Sequence, residues 1–140
     1  MVQLIGTGRP DVAATAGGWI MLIGGDEDDR PVIASAVRRL GLTLAVAEDF
    51  HEAKRVLAAQ PPDLLITHVR LGAYNGLQLV LRGKATHPAM AAIVVSDEPD
   101  PVLERDVAEM DATLVIKGAD CDAWVAAAQR AFVGHDSPAV

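Results

Sequence analysis

The sequence predicts one α/β domain with an open, doubly wound parallel sheet, and three observations support this. Its 140 residues, 51% of them apolar, fit a single domain with one core. From Trp19 onward, short apolar runs alternate with segments of helical periodicity, without a long linker or an internal repeat. Five strands that alternate with five helices favour parallel pairing through right-handed crossovers. We therefore expect ligands to bind outside the carboxyl ends of the strands.

Three segments are predicted along the chain. Residues 1–18 are small, Gly-rich and polar, which predicts a flexible leader, with a short strand at Val2–Ile5 as the alternative. Residues 19–133 form the domain, and 134–140 form a short C-terminal tail. The N-terminus lacks the basic and apolar regions of a signal peptide, and no apolar run reaches the ~18 residues of a membrane span. We therefore expect a soluble, cytoplasmic protein without a membrane partner.

The first strand and helix surround two glycines and an acidic patch. The apolar run 19–23 ends in Gly24 and Gly25, and four acids follow. Pro31 suits the first turn of a helix, and Gly41 ends that helix. The apolar residues of this segment recur at helical spacing, at Val32, Ile33, Ala36, Val37 and Leu40.

The second and third strands are separated by a helix with a capping signal. Residues 42–47 form the second strand, and Asp49 with Glu52 has the D-x-x-E form of a capping box. Residues 64–67 are apolar at nearly every position, as expected of a central parallel strand covered on both faces. His68 follows this strand directly.

The second half of the chain continues the alternation. Residues 91–95 and 112–116 are predicted strands because their apolar residues are nearly continuous. Helices are predicted from Leu77, at Asp100-Pro101 and after Asp120, which can serve as the N-cap of the last helix. The pairs that end helices or strands here are His87-Pro88, Ser96-Asp97 and Lys117-Gly118.

The candidate functional residues are those that follow the carboxyl ends of the strands. Because parallel strands end at one edge of a sheet, side chains from separate loops meet there. A hydroxyl and an ammonium group are expected to flank whatever the third strand presents. The set consists of Gly24, Gly25, Asp26, His68, Ser96, Asp97 and Lys117.

Charge and cysteine content restrict the classes of partner. The formal charge of −7 argues against a nucleic-acid binder, because phosphate attraction requires positive charge. A basic or neutral protein partner fits this charge better. The single cysteine, Cys121, excludes an internal disulfide and fits a reducing compartment.

Three segments resemble the receiver domain of two-component response regulators, over about residues 19–133. The stretch "PDLLITHVRLGAYNGLQL" is similar to the third strand and following loop of that family, "IVVS" to the fourth strand and "LVIKG" to the fifth. The resemblance implies a flavodoxin-like (CheY-like) fold with strand order 2-1-3-4-5 and five helices. This agrees with the fold expected from the residues alone.

The resemblance fails at the positions that carry the family's chemistry. In receivers, two adjacent acids after the first strand hold Mg²⁺, and an aspartate after the third strand accepts phosphate. Here the acids align with Gly24 and Gly25, and the acceptor aligns with His68. Shifting the first strand by two residues would bring in Asp26 and Glu27, but Gly24-Gly25 would then have to end the strand.

These replacements predict a pocket that has lost its magnesium site. Phosphoryl transfer depends on positioning and on Mg²⁺, and Mg²⁺ prefers carboxylate oxygens that glycines do not supply. The family's switch aromatic aligns with Leu114, which has no ring to rotate. Gly118 replaces a proline whose peptide bond is usually cis, and we expect a trans bond here because a non-proline cis bond costs about 2.5 to 4 kcal/mol.

The remaining pocket residues allow three interpretations. Lys117 can neutralise nearby acids while Ser96 caps a strand end. Alternatively, Lys117, Ser96 and the amides after His68 form a residual anion site, although Asp97 would repel phosphate. Lastly, His68 with Asp97 and Asp26 offers ligands for a soft divalent ion, without a spacing signature.

The favoured function is that of a stand-alone pseudo-receiver, a non-enzymatic interaction module without a cofactor. Its expected partner is a protein acting in trans, such as a sensor kinase or a regulator. The resemblance also allows a homodimer through the face of the fourth helix, fifth strand and fifth helix, or through the first and fifth helices, but the residues alone do not predict one. The alternatives are a nucleotide-binding flavodoxin-like protein that uses Gly24-Gly25, and phosphotransfer through His68 or Asp63.

Overall fold

The computed structural model of the protein describes the backbone of residues 3–5, 18–24 and 27–136 and the side chains of 18–24 and 27–132. Predictions for Gly25, Asp26 and residues 6–17 therefore lie outside the described residues. The elements in chain order are β1 (Gln3–Ile5), β2 (Trp19–Ile23), α1 (Asp29–Arg39), β3 (Thr43–Ala47), α2 (Phe50–Ala59), β4 (Leu64–His68), β5 (Arg70–Leu71), β6 (Tyr74–Asn75), α3 (Leu77–Thr86), β7 (Ala91–Ser96), α4 (Pro101–Glu109), β8 (Thr113–Ile116) and α5 (Cys121–Asp136).

The main sheet has the order β1-β3-β2-β4-β7-β8. Its five predicted strands are parallel and take the order 2-1-3-4-5, which confirms the fold class. β1 adds a sixth, antiparallel strand along β3, as the alternative for Val2–Ile5 allowed. The last helix continues to Asp136, so three residues of the predicted tail are helical.

The two faces of the sheet carry separate apolar cores because side chains alternate along each strand. On one face, Ile20 and Leu22 pack with α1 and with Trp124 of α5. On the other face, Trp19 and Met21 pack with α2, α3 and α4. Helices on both faces explain why the strands are apolar at consecutive positions.

The helix starts follow the predicted caps closely. The carboxylate of Asp49 accepts a hydrogen bond from the amide of Glu52 at 2.8 Å. The returning bond of the capping box differs slightly, since Glu52 Oε1 accepts from the amide of Glu48 at 3.3 Å. Asp100 caps α4 through the amides of Val102 and Leu103, each at 3.1 Å.

The pairing of β2 determines which residue lies at the functional edge. Ile23 is the last residue of this strand and pairs with Ala47 and Thr67. Gly24 therefore follows the strand rather than ending it. The alternative that shifted the strand by two residues needs Gly24 and Gly25 to end the strand, and the observed end at Ile23 does not support it.

Asp63 lies at the amino edge of the sheet, opposite His68. Its Oδ2 accepts a hydrogen bond from the buried amide of Trp19 at 2.7 Å, and its own amide donates to the Trp19 carbonyl at 3.0 Å. The Asp63 carbonyl accepts from the amide of Ala91 at 2.9 Å. Asp63 thus ties the starts of three strands together and lies away from the carboxyl-edge pocket.

Replacing Asp63 by alanine is expected to lower the free energy of unfolding by about 2 kcal/mol, because the buried Trp19 amide loses its acceptor. Asp63→Asn keeps an oxygen acceptor and should lose less. Urea denaturation of both variants measures the difference. Equal losses in the two variants would show that the hydrogen bond is not the cause.

Candidate functional site

His68 occupies the carboxyl end of the central strand β4. It pairs with Val95 of β7, and only 9% of its surface is exposed. The neighbouring residue, directly after β2, is Gly24, with a backbone φ of +80°. A Cβ atom on Gly24 would lie 2.9 Å from Leu71 Cδ2 and 3.3 Å from His68 Cβ. Leu71 and His68 therefore fill the space into which a side chain at position 24 would project.

Leu71 reaches this position because the loop after β4 folds back as a small hairpin. Arg70 pairs with Asn75, and Leu71 pairs with Tyr74. The amide of Gly76 donates to the carbonyl of Val69 at 2.8 Å, which closes the base of the loop. This hairpin is not predicted from the sequence, since two-residue strands give no periodicity to detect.

An aromatic cluster fastens the hairpin to the start of α2. Phe50 and Tyr74 stack with ring centres 4.5 Å apart and planes 8° from parallel. His51 Nε2 and Tyr74 Oη form a hydrogen bond of 3.1 Å. Stacked rings contribute about 0.5 to 1.5 kcal/mol beyond the area they bury. The cluster therefore holds the hairpin, and Leu71 with it, over the pocket.

Removing the Tyr74 ring should loosen this hairpin. In Tyr74→Ala we expect hydrogen exchange of the Gly76 amide to accelerate by about fivefold, because the stacking energy is lost. Tyr74→Phe keeps the stack and removes only the hydroxyl, so its exchange should stay near that of the wild type. If both variants exchange alike, the stack is not what holds the loop.

Two of the donors proposed for an anion site, the Ser96 hydroxyl and the Val69 amide, are engaged in other hydrogen bonds. The hydroxyl of Ser96 donates to the carbonyl of Glu98 at 2.6 Å. The amide of Val69, the first after His68, donates to the carbonyl of Val95 at 3.0 Å. The amide of Lys117 donates to the Ser96 carbonyl at 2.8 Å, which joins the ends of β7 and β8. This arrangement supports the strand-end role of Ser96 over a residual anion site.

The acids near the edge lie around an open groove rather than at a shared point. Asp97 is exposed and lines a groove of about 480 Å³ with Arg70, Glu98 and Asp100. Within residues 18–24 and 27–132, no group of three His, Cys, Asp or Glu side chains lies close enough to hold a metal ion. The metal set proposed from His68, Asp97 and Asp26 includes one residue outside this range.

Comparison with known proteins supplies a family context for this geometry. No protein-family model matches the chain. The DNA-binding transcriptional regulators NtrC of Salmonella typhimurium and of Escherichia coli K12 are each 29% identical to it over 83 residues. These matches cover 59% of this chain and 18% of either regulator, so the chain spans about a fifth of their length.

Solved structures extend the match over the whole domain. NtrX from Brucella abortus superposes with a TM-score of 0.74 at 20% identity, over 85% of this chain and 27% of NtrX. The BeF3-activated receiver domain of NtrC superposes with a TM-score of 0.69 at 26% identity, over 86% of this chain and 98% of that domain. The chain contains a response-regulator receiver domain. It is a domain of the two-component signalling type with the flavodoxin-like fold.

The receiver domain departs from its family's pattern around β8 as well. Leu114, which the resemblance aligns with the switch aromatic, is half-buried against the core between the sheet and α2, α3 and α4. The bond between Lys117 and Gly118 is trans, as expected, and Gly118 has a φ of +91°. The Gly118 amide donates to Oδ1 of the buried Asp29 at 3.3 Å. This contact of Asp29 is not predictable from the sequence, because Asp29 and Gly118 are far apart in the chain.

None of the helices in the described part of this receiver domain is both long and apolar enough to cross a membrane. The single cysteine, Cys121, is a free thiol, 3.3 Å from Nη1 of Arg39. The same guanidinium forms an ion pair with Asp122 at 2.8 Å, and this hydrogen bond raises the pKa of Arg39. This contact links α1 to α5 across the exposed surface and takes no part in the carboxyl-edge pocket.

Proposed function

We propose that this receiver domain acts as a phosphorylation-independent interaction module of two-component signalling. It catalyses no reaction, takes no Mg²⁺ and transmits a signal by binding a protein partner such as a sensor kinase or a regulator in trans. The observation that carries the proposal is the packing of Gly24 against Leu71 and His68. This packing leaves an imidazole and an aliphatic side chain where phosphoryl transfer needs carboxylates and a metal.

The electrostatics of the edge also support the proposal. Without Mg²⁺, charge on a transferred phosphoryl group would be met by few cations, while the exposed Asp97 and Glu98 would repel it. Exposed acids at Glu27 and Asp28 precede α1 and disfavour phosphate binding at that helix start. These charges weigh equally against the alternative of nucleotide binding through Gly24.

The proposal predicts an unchanged mass after incubation of the protein with acetyl phosphate and Mg²⁺. Intact mass should be measured at neutral pH, because a phosphoryl group on a histidine nitrogen is labile in acid. The response regulator from Burkholderia pseudomallei that was solved with a phosphorylated aspartic acid serves as the positive control.

An adduct with the mass of one phosphoryl group would contradict the proposal. Repeating the reaction with His68→Ala would then assign the acceptor, since loss of the adduct would indicate His68. A persistent adduct would indicate a carboxylate elsewhere. A rise in melting temperature with a nucleotide would favour the nucleotide-binding alternative instead.

A further inference from the structure

A shallow groove of about 400 Å³ runs between α2 and α3, away from the carboxyl edge. The buried side chain of Leu57 forms its floor. Alanine and threonine side chains and three cations form its exposed walls. The wall residues are Lys54, Arg55, Ala58, Arg82, Ala85 and Thr86.

The groove is positively charged in a protein whose formal charge is −7. The two helices carry four cations and one acid, Glu52. The side chain of Glu52 is buried, with only 5% of the residue exposed. One cation, Lys84, turns inward and donates to the Met90 carbonyl at 3.0 Å, and burial lowers its pKa. The other three, Lys54, Arg55 and Arg82, form no ion pair within the part of the chain that the structure describes.

The shape of the groove fits a macromolecule better than a small ligand. Small-molecule sites enclose most of their ligand, whereas six of the seven lining residues here are exposed. Leu81 is 56% exposed and precedes Ala85 by one helical turn, so it extends the apolar strip along α3. A complementary surface therefore needs an apolar side chain flanked by acidic residues along one elongated secondary-structure element.

The α4 helix of the same chain carries such a surface. Val102, in its first turn, is 58% exposed. Asp106 and Glu109 follow at spacings of four and seven residues, which places them on the same side of the helix. Both acids are exposed, and neither forms an ion pair among the described side chains.

We propose that the α2–α3 groove binds α4 of a second copy of this chain. Val102 of one copy packs against Leu57 and Ala85 of the other, and Asp106 and Glu109 face the three cations. Because the two surfaces differ, the contact is heterologous and links copies head to tail. The proposal goes beyond the proposed function, since it holds whether or not the pocket accepts a phosphoryl group.

Sedimentation velocity of the full chain tests this contact. At about 50 mM salt the weight-average mass of the wild type should rise with concentration, and about 500 mM salt should abolish the rise by screening. The groove variant Lys54→Glu/Arg82→Glu and the helix variant Asp106→Lys/Glu109→Lys should each associate about tenfold more weakly. Arg38→Glu/Arg130→Glu alters two exposed cations outside the groove and should associate like the wild type.

Mixing the groove variant with the helix variant provides the decisive measurement. Each variant should associate only weakly alone, but the unchanged α4 of the first fits the unchanged groove of the second, so the mixture should form complexes at concentrations where neither variant does. Thermal melting checks that both variants are folded. A wild type that stays monomeric to about 1 mM would overturn the proposal. So would association unaffected by either reversal, or acidic helical peptides that bind the groove of a monomeric wild type.

Discussion

Replacing Gly76 by alanine is expected to lower the free energy of unfolding by about 3 kcal/mol. Gly76 precedes α3 and crosses the end of β4 at close range. A Cβ atom there would overlap the backbone carbonyl oxygen of His68 and lie 2.6 Å from Thr67 Oγ1. Because a backbone oxygen of a central strand cannot rotate away, either the helix start or the strand must move.

Urea denaturation with a matched glycine separates this overlap from a general effect of losing glycine. Gly41 has a φ of +73° and nothing within 4 Å of a built Cβ. Gly41→Ala therefore carries only backbone strain, about 1 kcal/mol. If Gly76→Ala loses no more stability than Gly41→Ala, the close approach of α3 to β4 is not limiting.

Replacing Gly24 by aspartate should destabilise the protein by about 3 kcal/mol without restoring a phosphorylation site. The left-handed φ of +80° strains any side chain, and the new Cβ would press on Leu71 Cδ2. The substitution supplies the residue type that the resemblance implies for position 24. It does not supply the space and backbone conformation that a carboxylate needs there. Urea denaturation measures the loss, and intact mass after acetyl phosphate treatment checks the chemistry.

A double-mutant cycle isolates the role of Leu71. In Gly24→Asp/Leu71→Ala the clash is relieved, so the two changes should couple favourably by about 1 kcal/mol. Gly72→Asp, at a φ of +62° with open space around it, reports the backbone strain alone. Two results would contradict this description of the pocket. One is that the losses of unfolding free energy from the Gly24 and Leu71 substitutions are additive. The other is a magnesium-dependent phosphoryl adduct in Gly24→Asp alone.

Local signals in the sequence were sufficient for the architecture. The limits of β2 were predicted residue by residue, and the two predicted caps, Asp49 and Asp120, accept the expected amide hydrogen bonds, with Asp120 bonded to Ala123 at 2.8 Å. Alternation of apolar runs and helical periods predicted the five parallel strands, and the resemblance to receiver domains implied their order. Strand limits, helix caps and the alternation of strands and helices depend on residues close together in the chain. They can therefore be predicted from the sequence.

The candidate site was only partly predictable. Sequence placed His68 at the end of β4 and Gly24 directly after β2, as the structure has them. It offered Asp63 as an alternative acceptor, whereas the carboxylate bonds the amide of Trp19 at the opposite edge.

The sequence by itself determined that a receiver-type scaffold carries an imidazole and a glycine at the edge where carboxylates are expected. Only the tertiary structure decided what surrounds them. Leu71 enters the pocket because a hairpin without periodicity folds back and stacks on Phe50, and the basic groove exists because α2 and α3 lie side by side. Both depend on packing between segments distant in the chain, which residue order does not specify locally.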